Sequence, residues 1–362
     1  MKSAGKVFIA AFLLTICIII RLYSLNPIRV ENGYSNTFFP HLASILRYGF
    51  GFIPFSVGDI LYGLLAVWLV WKFTRVFLYI YRSNKMGWSN ARFKRRAYRL
   101  FVTFSFIYII FNIFWGVNYN RKGISWQLGL PETIYSIADL QEINCLLIAK
   151  INESKLALIT HKNTYPGNAL LFKKISASFK MLEAQYPFLQ YSPPSLKSSM
   201  WGWLGNYTGF TGYYNPFTGE AQLNTTIPKF IQPFTACHEV AHQLGYAKEK
   251  EANFVGFLAA RASADTLLHY SVYLNLFSYA NRNLFFRDSL SARLYRKELL
   301  PGVVADIKEW ADFNRRHTGP LEPVVSWLYG KYLQSNEQPS GIKSYDEVTG
   351  FIIAYYKKFG KI

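Results

Sequence analysis

The sequence predicts an α+β fold that is mainly α, in which a membrane region precedes an outer domain. Three long apolar stretches lie before residue 119, and few acidic residues interrupt them. After that point, apolar side chains recur at helical spacing over most of the chain. A short part rich in Tyr, Thr and Gly, after residue 195, has the composition of strands instead. We therefore divide the chain into a membrane region at 1–118 and an outer domain at 119–362.

Each apolar stretch is long enough to cross a bilayer as a helix. The stretches cover about residues 7–25, 53–81 and 100–118, and roughly 20 apolar residues span the hydrocarbon layer. The first reaches this length only if Arg21 extends its charged end toward the membrane surface. Its basic start is also compatible with a cleaved signal peptide, although no small-x-small cleavage site follows it.

Charge sets the predicted orientation of these helices. Residues 82–99 carry seven Lys or Arg side chains and no acidic one, and basic loops stay on the cytoplasmic side. Lys2 and Lys6 place the N-terminus on that side as well. Three spans that start inside leave the outer domain outside the cytoplasm. We therefore expect a multi-pass membrane protein with an extracytoplasmic C-terminal domain.

The net charge of +19 does not indicate a nucleic-acid partner. Residues 1–118 hold 14 basic and 2 acidic side chains, a balance of +12, whereas residues 119–362 hold 26 and 19, a balance of +7. Most of the excess charge therefore belongs to the membrane region, and no nucleic-acid-binding motif accompanies it. The membrane is the partner that this distribution favours.

The outer domain is predicted to contain helices on both sides of a hairpin. Apolar periodicity predicts four helices, at about residues 137–153, 169–186, 267–284 and 290–313. Between them, strands at 210–214 and 220–225 are joined by the turn sequence Asn-Pro-Phe-Thr-Gly. Such a hairpin is either an ordinary sheet edge or a strand that pairs with an extended peptide.

The chain has three cysteines. Cys17 lies in the first apolar stretch. Cys145 and Cys237 could form a disulfide in an oxidising compartment, and the sequence leaves that pairing open. Cys237 adjoins a histidine but points about 100° away from it on a helix, so it is expected in the core and not at a metal.

The segment His238-Glu239-Val240-Ala241-His242 has the most specific chemistry in the chain. Two histidines four residues apart lie on one face of a helix, so both imidazoles can bind one metal ion. A Glu beside the first His can then reach a water molecule on that metal. We therefore expect a zinc hydrolase site, in which His238 and His242 bind zinc and Glu239 acts as general base.

The third zinc ligand is expected shortly downstream. Gly245 can adopt a positive φ and end the helix, so the chain can turn back toward the metal. In the helical pattern that follows, Glu249 and Asn253 share a face, whereas Glu251 points about half a turn away. Glu249 is therefore the predicted ligand and Asn253 its supporting partner. Glu251 is either the alternative third ligand or a solvated acid.

Amide hydrolysis also needs a hydrogen-bond donor for the oxyanion of the transition state. Four candidates lie near the motif in the sequence, namely Tyr214, Tyr246, His269 and Tyr270. Each of these residue types is more typical of a structural role at such a position. The sequence therefore leaves this group unassigned.

The two parts of the motif resemble the gluzincin branch of zinc metallopeptidases. Glu-Lys-Glu-Ala-Asn at 249–253 is similar to the third-ligand helix of that branch, in which the first Glu binds zinc and an acid four residues later supports the site. This chain has Asn253 in place of the usual Asp and a short spacer before Glu249. The resemblance implies a zincin-like outer domain.

A longer similarity extends along nearly the whole chain. Segments 115–121 and 212–224, together with the histidine motif and the sequence Glu-Ala-Asn-Phe, resemble an uncharacterised family of membrane-anchored HExxH proteins from Bacteroidetes-type bacteria. We expect a membrane-anchored, zinc-dependent, metallopeptidase-like hydrolase that acts on peptide or protein substrates outside the cytoplasm. The alternative is a zinc-binding but non-catalytic module for binding or assembly in the envelope.

Overall fold

The computed structural model describes residues 3–83, 90–131, 134–162 and 164–362, and these are mostly helical, as predicted. In chain order the α-helices are α1 (Ser3–Ser24), α2 (Pro27–Arg29), α3 (Phe39–Phe50), α4 (Val57–Ser83), α5 (Asn90–Phe114), α6 (Ile124–Gln127), α7 (Ile137–Thr160), α8 (Asn168–Gln185), α9 (Gly202–Thr208), α10 (Gln232–Gln243), α11 (Glu249–Ala262), α12 (Thr266–Arg287), α13 (Ser289–Arg296), α14 (Pro301–His317), α15 (Leu321–Ser335) and α16 (Val348–Phe359). A π-helix and short 3-10 helices lie between them, at Val30–Phe38, Gly116–Asn120, Pro187–Leu189 and Gly341–Tyr345.

Three of the described helices are long and apolar enough to cross a membrane. The apolar windows are Ala4–Ser24 in α1, Val57–Leu78 in α4 and Phe93–Phe114 in α5. The expectation of N-terminal apolar helices is therefore confirmed, with shifted ends. Helix α5 begins at Asn90 because Lys and Arg are good helix formers, so much of the predicted loop 82–99 is helical. Its residues 84–89 lie outside the described residues.

The long helices α1 and α5 meet the outer domain at their C-terminal ends, and α4 meets it at its N-terminal end. Helices α1 and α5 pack against each other, and both lie near the 3-10 helix Gly116–Asn120 that follows α5. The first turn of α4 is held by Asp59, whose carboxylate accepts a hydrogen bond from the Met200 backbone N at 2.6 Å. The ends of α1 and α5 and the start of α4 are therefore on the same side, which suits three consecutive spans.

The segment between α1 and α4 packs into the outer domain. Its buried side chains form a hydrophobic cluster with residues that follow α5 and α10; the cluster contains Val30, Tyr34, Phe39, Ala43, Trp115, Val117, Tyr119 and Ala247. The Arg47 guanidinium in α3 donates hydrogen bonds to the carbonyl oxygens of Ser192, Pro193 and Gln243. The division at residue 118 stays a prediction, but the earlier segment shares a core with the later one.

Among the described residues, three strands form one small sheet in the order β1-β3-β2. The strands are β1 (Leu196–Ser198), β2 (Gly212–Asn215) and β3 (Glu220–Leu223). Strands β2 and β3 are antiparallel, with Tyr213 opposite Gln222, so the predicted hairpin is present with shorter strands. Strand β1 runs parallel to β3. Strand β2 is therefore an edge strand, and it packs on α10.

The helices of the outer domain follow the predicted pattern with one break. Helices α7, α8 and α12 cover the expected ranges, and α7 starts at a capping box formed by Ser136 and Asp139. The prediction of one continuous helix over 290–313 is wrong, because α13 ends at Arg296 and α14 begins at Pro301. Proline lacks a backbone N–H and suits the first turn of a helix, not its interior.

The cysteines do not pair. Cys145 is exposed and Cys237 is buried, and both are free thiols. Burial raises the pKa of Cys237 to about 12, although a hydrogen bond with Ser178 opposes the shift. Cys237 therefore lies in the core as an inert side chain, as its position on the helix predicts.

Candidate metal centre

Helix α10 presents the histidine motif from the core of the outer domain. All of its residues are buried, and it ends at the turn through Gly245. Gly245 has φ +87°, and its N–H donates to the His242 carbonyl at 2.8 Å. A Cβ at this position would lie 2.9 Å from the Phe39 ring. Glycine is therefore required both by conformation and by space, and the predicted turn is confirmed.

The turn brings the start of α11 against the two histidines. Glu249 Oε2 lies 3.2 Å from His238 Nε2 and 3.6 Å from His242 Nε2. The two imidazole rings are 4.7 Å apart between centroids. All three side chains are buried. The structure therefore brings together the three residues that the sequence predicts as metal ligands.

The other ring nitrogens fix the tautomers of both histidines. His238 Nδ1 is 2.7 Å from Asn253 Oδ1, and His242 Nδ1 is 2.8 Å from the Tyr246 carbonyl oxygen. Asn253 Nδ2 donates to the Tyr345 carbonyl oxygen at 3.2 Å, so its Oδ1 faces the imidazole. Both partners can only accept, so each Nδ1 carries the proton. Each neutral imidazole then directs the lone pair of Nε2 toward Glu249.

Three acceptor atoms therefore converge in a buried space. Glu249 Oε1 accepts from Tyr329 Oη at 2.7 Å, but Oε2 has no donor among the described residues while the imidazoles are neutral. Burial raises the pKa of Glu249, yet hydrogen bonding with His238 and His242 lowers it well below the ordinary value. Burial lowers the pKa of His242, and Glu249 raises it above its ordinary value. The centre therefore attracts positive charge, which a proton or a metal ion can supply.

Glu239 is a further buried carboxylate beside the two histidines. Its ligand atom and those of His238 and His242 all lie within 4.8 Å of one another. A Cβ at Gly212 of β2 would lie 2.6 Å from Glu239 Oε1, so only glycine leaves room for the carboxylate. Within the described part of the chain, Glu239 Oε2 is buried and has no hydrogen-bond partner. Burial raises the pKa of Glu239 to about 7, against the influence of the two histidines.

Glu251 is turned away from the histidines. It is only 2% exposed, so the expectation of a solvated acid is wrong. Its carboxylate fills the space beside Gly123, where a Cβ would overlap Glu251 Oε1. Burial raises the pKa of Glu251, although Lys248 and Arg121 oppose the shift. Half a turn of helix thus separates two buried acids of different surroundings, and Glu249 is the one beside the imidazoles.

A second centre contains another buried carboxylate, Glu31, and it lies behind the turn. Glu31 Oε1 accepts from Arg121 Nη2 at 2.6 Å and from Gln127 Nε2 at 2.9 Å. Its Oε2 accepts from Arg121 Nε and from the Gly123 backbone N, both at 3.1 Å. Burial raises the pKa of Glu31, but the interactions with Arg121 lower it below the ordinary value. This carboxylate is satisfied within the chain.

Arg121 connects this second centre to the histidines. Its Nη1 donates to the Gly245 carbonyl at 3.2 Å, and its guanidinium lies 4.4 Å from the centre of the Tyr246 ring. The backbone of Tyr246 supplies the acceptor for His242 Nδ1. The Glu31–Arg121 pair therefore holds the turn on which the orientation of His242 depends.

Two tyrosines from the C-terminal part complete the site, and the sequence gives no local signal for them. Tyr345 stacks on His238 with 5.9 Å between ring centroids and 13° between planes. Tyr329 donates to Glu249, and its hydroxyl is 3.4 Å from that of Tyr345. These residues follow the motif at a distance along the chain that no spacing rule covers. Contacts between segments that are distant in sequence, not a local motif, place them beside the histidines.

Three of the four oxyanion candidates named from the sequence have partners away from the histidines. Tyr246 Oη donates to Gln127, Tyr270 Oη donates to Asp306, and His269 Nε2 contacts the Ser263 carbonyl. Tyr214 alone among the four lines the cavity beside His242.

Two cavities meet at His238 and Glu239. The membrane-side cavity, of about 330 Å³, is lined mainly by aromatic side chains and includes Tyr62, Phe111, Trp115, Tyr214 and Phe217. The far cavity, of about 260 Å³, includes Thr235, Asn275, Ser278, Arg282 and Trp310. Both are also lined by Gly212 and Tyr345. The candidate centre therefore lies in the middle of a cleft with an aromatic half and a more polar half.

The family described as "Protein of unknown function (DUF3810)" matches residues 34–353. The chain belongs to this family. The match confirms the expected membership of an uncharacterised family, and it includes α3 to α15 together with every residue of the candidate centre. No curated protein and no solved structure matches the chain.

Proposed function

We propose that the protein is a membrane-anchored, zinc-dependent metallopeptidase that acts on peptide or protein substrates. The observation behind the proposal is the convergence of three possible ligand atoms. His238 Nε2 lies 3.2 Å and His242 Nε2 lies 3.6 Å from Glu249 Oε2. Two imidazole nitrogens and one carboxylate oxygen are a donor set of catalytic zinc sites, which keep a further position open. The orphaned Oε2 and the fixed tautomers fit such an ion.

Zinc, when bound there, supplies a Lewis acid that polarises a carbonyl group and acidifies water. Glu239 contributes the proton transfer. Its carboxylate is buried beside the histidines with a pKa near neutrality, so it can accept a proton from the attacking water and return it to the leaving amine. Tyr345, stacked on His238 and lining both cavities, is a candidate to hold the oxyanion.

The small sheet supports a peptide as the substrate. Strand β2 is an edge strand, and its residues Gly212, Tyr213 and Tyr214 line the membrane-side cavity. An edge strand offers unpaired backbone groups to which an extended peptide can add. An HExxH helix that packs on such an edge also favours a zincin-like, gluzincin-type arrangement, with Asn253 as a neutral acceptor where that branch usually has Asp.

The test is a matched pair of substitutions in the full-length, membrane-embedded protein. Glu239→Gln preserves size and should keep zinc and fold while it lowers hydrolysis by roughly 10²-fold or more. Glu153→Gln, at a side chain that is 69% exposed, should leave hydrolysis unchanged. Wild-type turnover in Glu239→Gln would eliminate the mechanism. A wild type that binds zinc and cleaves no envelope peptide or protein would favour the alternative, a non-catalytic binding or assembly module.

We further propose that the protein lies in the inner membrane of a bacterium, with its outer domain outside the cytoplasm. The support is the basic segment near α5 and the shared side of the helix ends. Cys145 is a native reporter because it is exposed, whereas Cys237 is buried. A membrane-impermeant maleimide added to intact cells should label the wild type and not Cys145→Ser. Labelling only after lysis would contradict this orientation.

A further inference from the structure

The membrane-side cavity is built partly from the membrane helices themselves. Tyr62 comes from α4, about one turn after its start, and Phe111 comes from α5, about one turn before its end. The same cavity is lined by His242 and Glu249. At this point in the described structure, α4 and α5 therefore border the cavity of the candidate centre directly.

An adjoining apolar cavity lies beside the first turns of α4. It measures about 370 Å³ and shares Tyr62, Phe210, Tyr213 and Tyr214 with the membrane-side cavity. Its outer wall is Trp201 and α9. Trp201 Nε1 donates to the Asp59 carbonyl at 3.0 Å, and a Cβ at Gly63 would lie 2.9 Å from the Trp201 ring. This wall therefore packs on the first turns of α4.

The outer face of this wall suits the edge of a bilayer. Trp201 is 36% exposed, Trp203 is 58% exposed and Leu204 is 38% exposed. Tryptophan side chains are enriched where a membrane meets water. Because Trp201 packs on the first turns of α4, a bilayer that surrounds this helix would begin beside these exposed tryptophan side chains.

Helix α4 stands apart from the other two long helices. Helices α1 and α5 pack together, whereas the apolar part of α4 beyond its first turn has no buried residue up to Leu78. Farther from the outer domain, a space of about 640 Å³ lies between α4 and α5. It is strongly basic, with Trp71, Lys72, Arg75 and Val76 on one side and Arg96, Arg99 and Leu100 on the other. The two helices therefore leave a lateral gap between them.

We propose that the substrates are polypeptides anchored in the same membrane, and that they reach Glu239 laterally, between α4 and α5. The apolar, membrane-proximal part of such a chain fits the aromatic membrane-side cavity, and the polar part beyond the cleaved bond fits the far cavity with Thr235, Asn275 and Arg282. This inference depends on the proposed peptidase function. Cleavage adds one water: the amide C–N bond breaks, the acyl carbon gains OH and the amine nitrogen gains H.

The first test compares three forms of one peptide library with the full-length protein in vesicles of phosphatidylethanolamine and phosphatidylglycerol. One form is soluble, one carries a Lys-rich tag that holds it on the vesicle surface, and one ends in an apolar helix of about 20 residues that inserts. The inserted form should be cleaved at least about tenfold faster than both others, with Glu239→Gln as the blank. The surface-bound form controls for local concentration, which alone can raise rates.

Equal cleavage of soluble and inserted forms would overturn the inference and leave the peptidase proposal intact. Cleavage of no form would overturn the peptidase proposal, and the inference about its substrates with it. The two failures are therefore distinguishable.

The second test measures whether the membrane-side cavity opens to the bilayer, and it does not depend on catalysis. A spin label at Phe217→Cys, in the membrane-side cavity, is compared with one at Ser278→Cys, in the far cavity, in a background without Cys17 and Cys145. Phe217 is 38% exposed and Ser278 is exposed, so both sites accept a label. Collision with oxygen, which dissolves in lipid, should exceed collision with a water-soluble nickel complex at residue 217 and not at residue 278. The same ratio at both positions would show that the cavity does not open to the bilayer.

Discussion

Two buried carboxylates, Glu31 and Glu249, lie on either side of the turn at Gly245, and their surroundings differ in one respect. Glu31 accepts four N–H groups, two of them from the Arg121 guanidinium. Glu249 accepts one hydroxyl, from Tyr329, and its other oxygen faces two imidazole nitrogens. The first centre contains its own cation. The second has the ligands for a cation, and no basic side chain among the described residues is paired with it.

The difference indicates what each centre is for. A buried charge without a partner destabilises a fold, so buried acids are paired, protonated or bound to metal. The Glu31–Arg121 pair meets this condition by itself and fixes the turn that orients His242. Glu249 meets it only when protons or a metal ion are added. We infer that the first centre stabilises the fold and that the second is maintained for function.

The largest effect is expected from breaking the self-sufficient centre. Arg121→Ala would leave Glu31 buried and unpaired, so the free energy of unfolding should fall by about 3–5 kcal/mol. Arg315→Ala, at a side chain that is 80% exposed, should change it by less than about 1 kcal/mol. Denaturant unfolding of the full-length protein without metal measures both. Similar values for the two variants would mean that the Glu31–Arg121 pair does not stabilise the fold.

A smaller effect is expected behind the metal centre. Asn253→Ala removes the acceptor that orients His238, so zinc affinity should fall by about 10–100-fold while the ligands remain. Asn253→Asp keeps an acceptor oxygen and should bind zinc at least as tightly as the wild type. Competition with a chelator of known affinity measures both. Unchanged affinity in Asn253→Ala would remove this residue from the centre.

The sequence predicts the arrangement of the two histidines and Glu249 well because its determinants are local. Helical spacing places His238 and His242 on one face, and Gly245 ends the helix because it tolerates a positive φ. The same spacing separates Glu249 from Glu251 by about half a turn, which is how the structure arranges them. The hairpin and the apolar helices are likewise predicted from periodicity within short windows.

What the sequence does not predict depends on contacts between distant segments. The burial of Glu251 comes from Gly123 and Arg121, more than a hundred residues earlier, and the tyrosines beside the histidines come from much later in the chain. The packing of the segment between α1 and α4 into the outer domain has the same origin. Periodicity reports which face of an element is apolar, but it does not report what covers that face.

The central claim is that the second centre binds its cation through Glu249, and the chain offers a matched pair to test it. Glu249 and Glu251 lie on one helix, and each is 2% exposed. Elemental analysis of purified full-length protein should find about one zinc per chain in the wild type and in Glu251→Gln, and little in Glu249→Gln, with the helical content of all three unchanged. Zinc that is retained in a folded Glu249→Gln, or lost equally from both variants, would contradict the account.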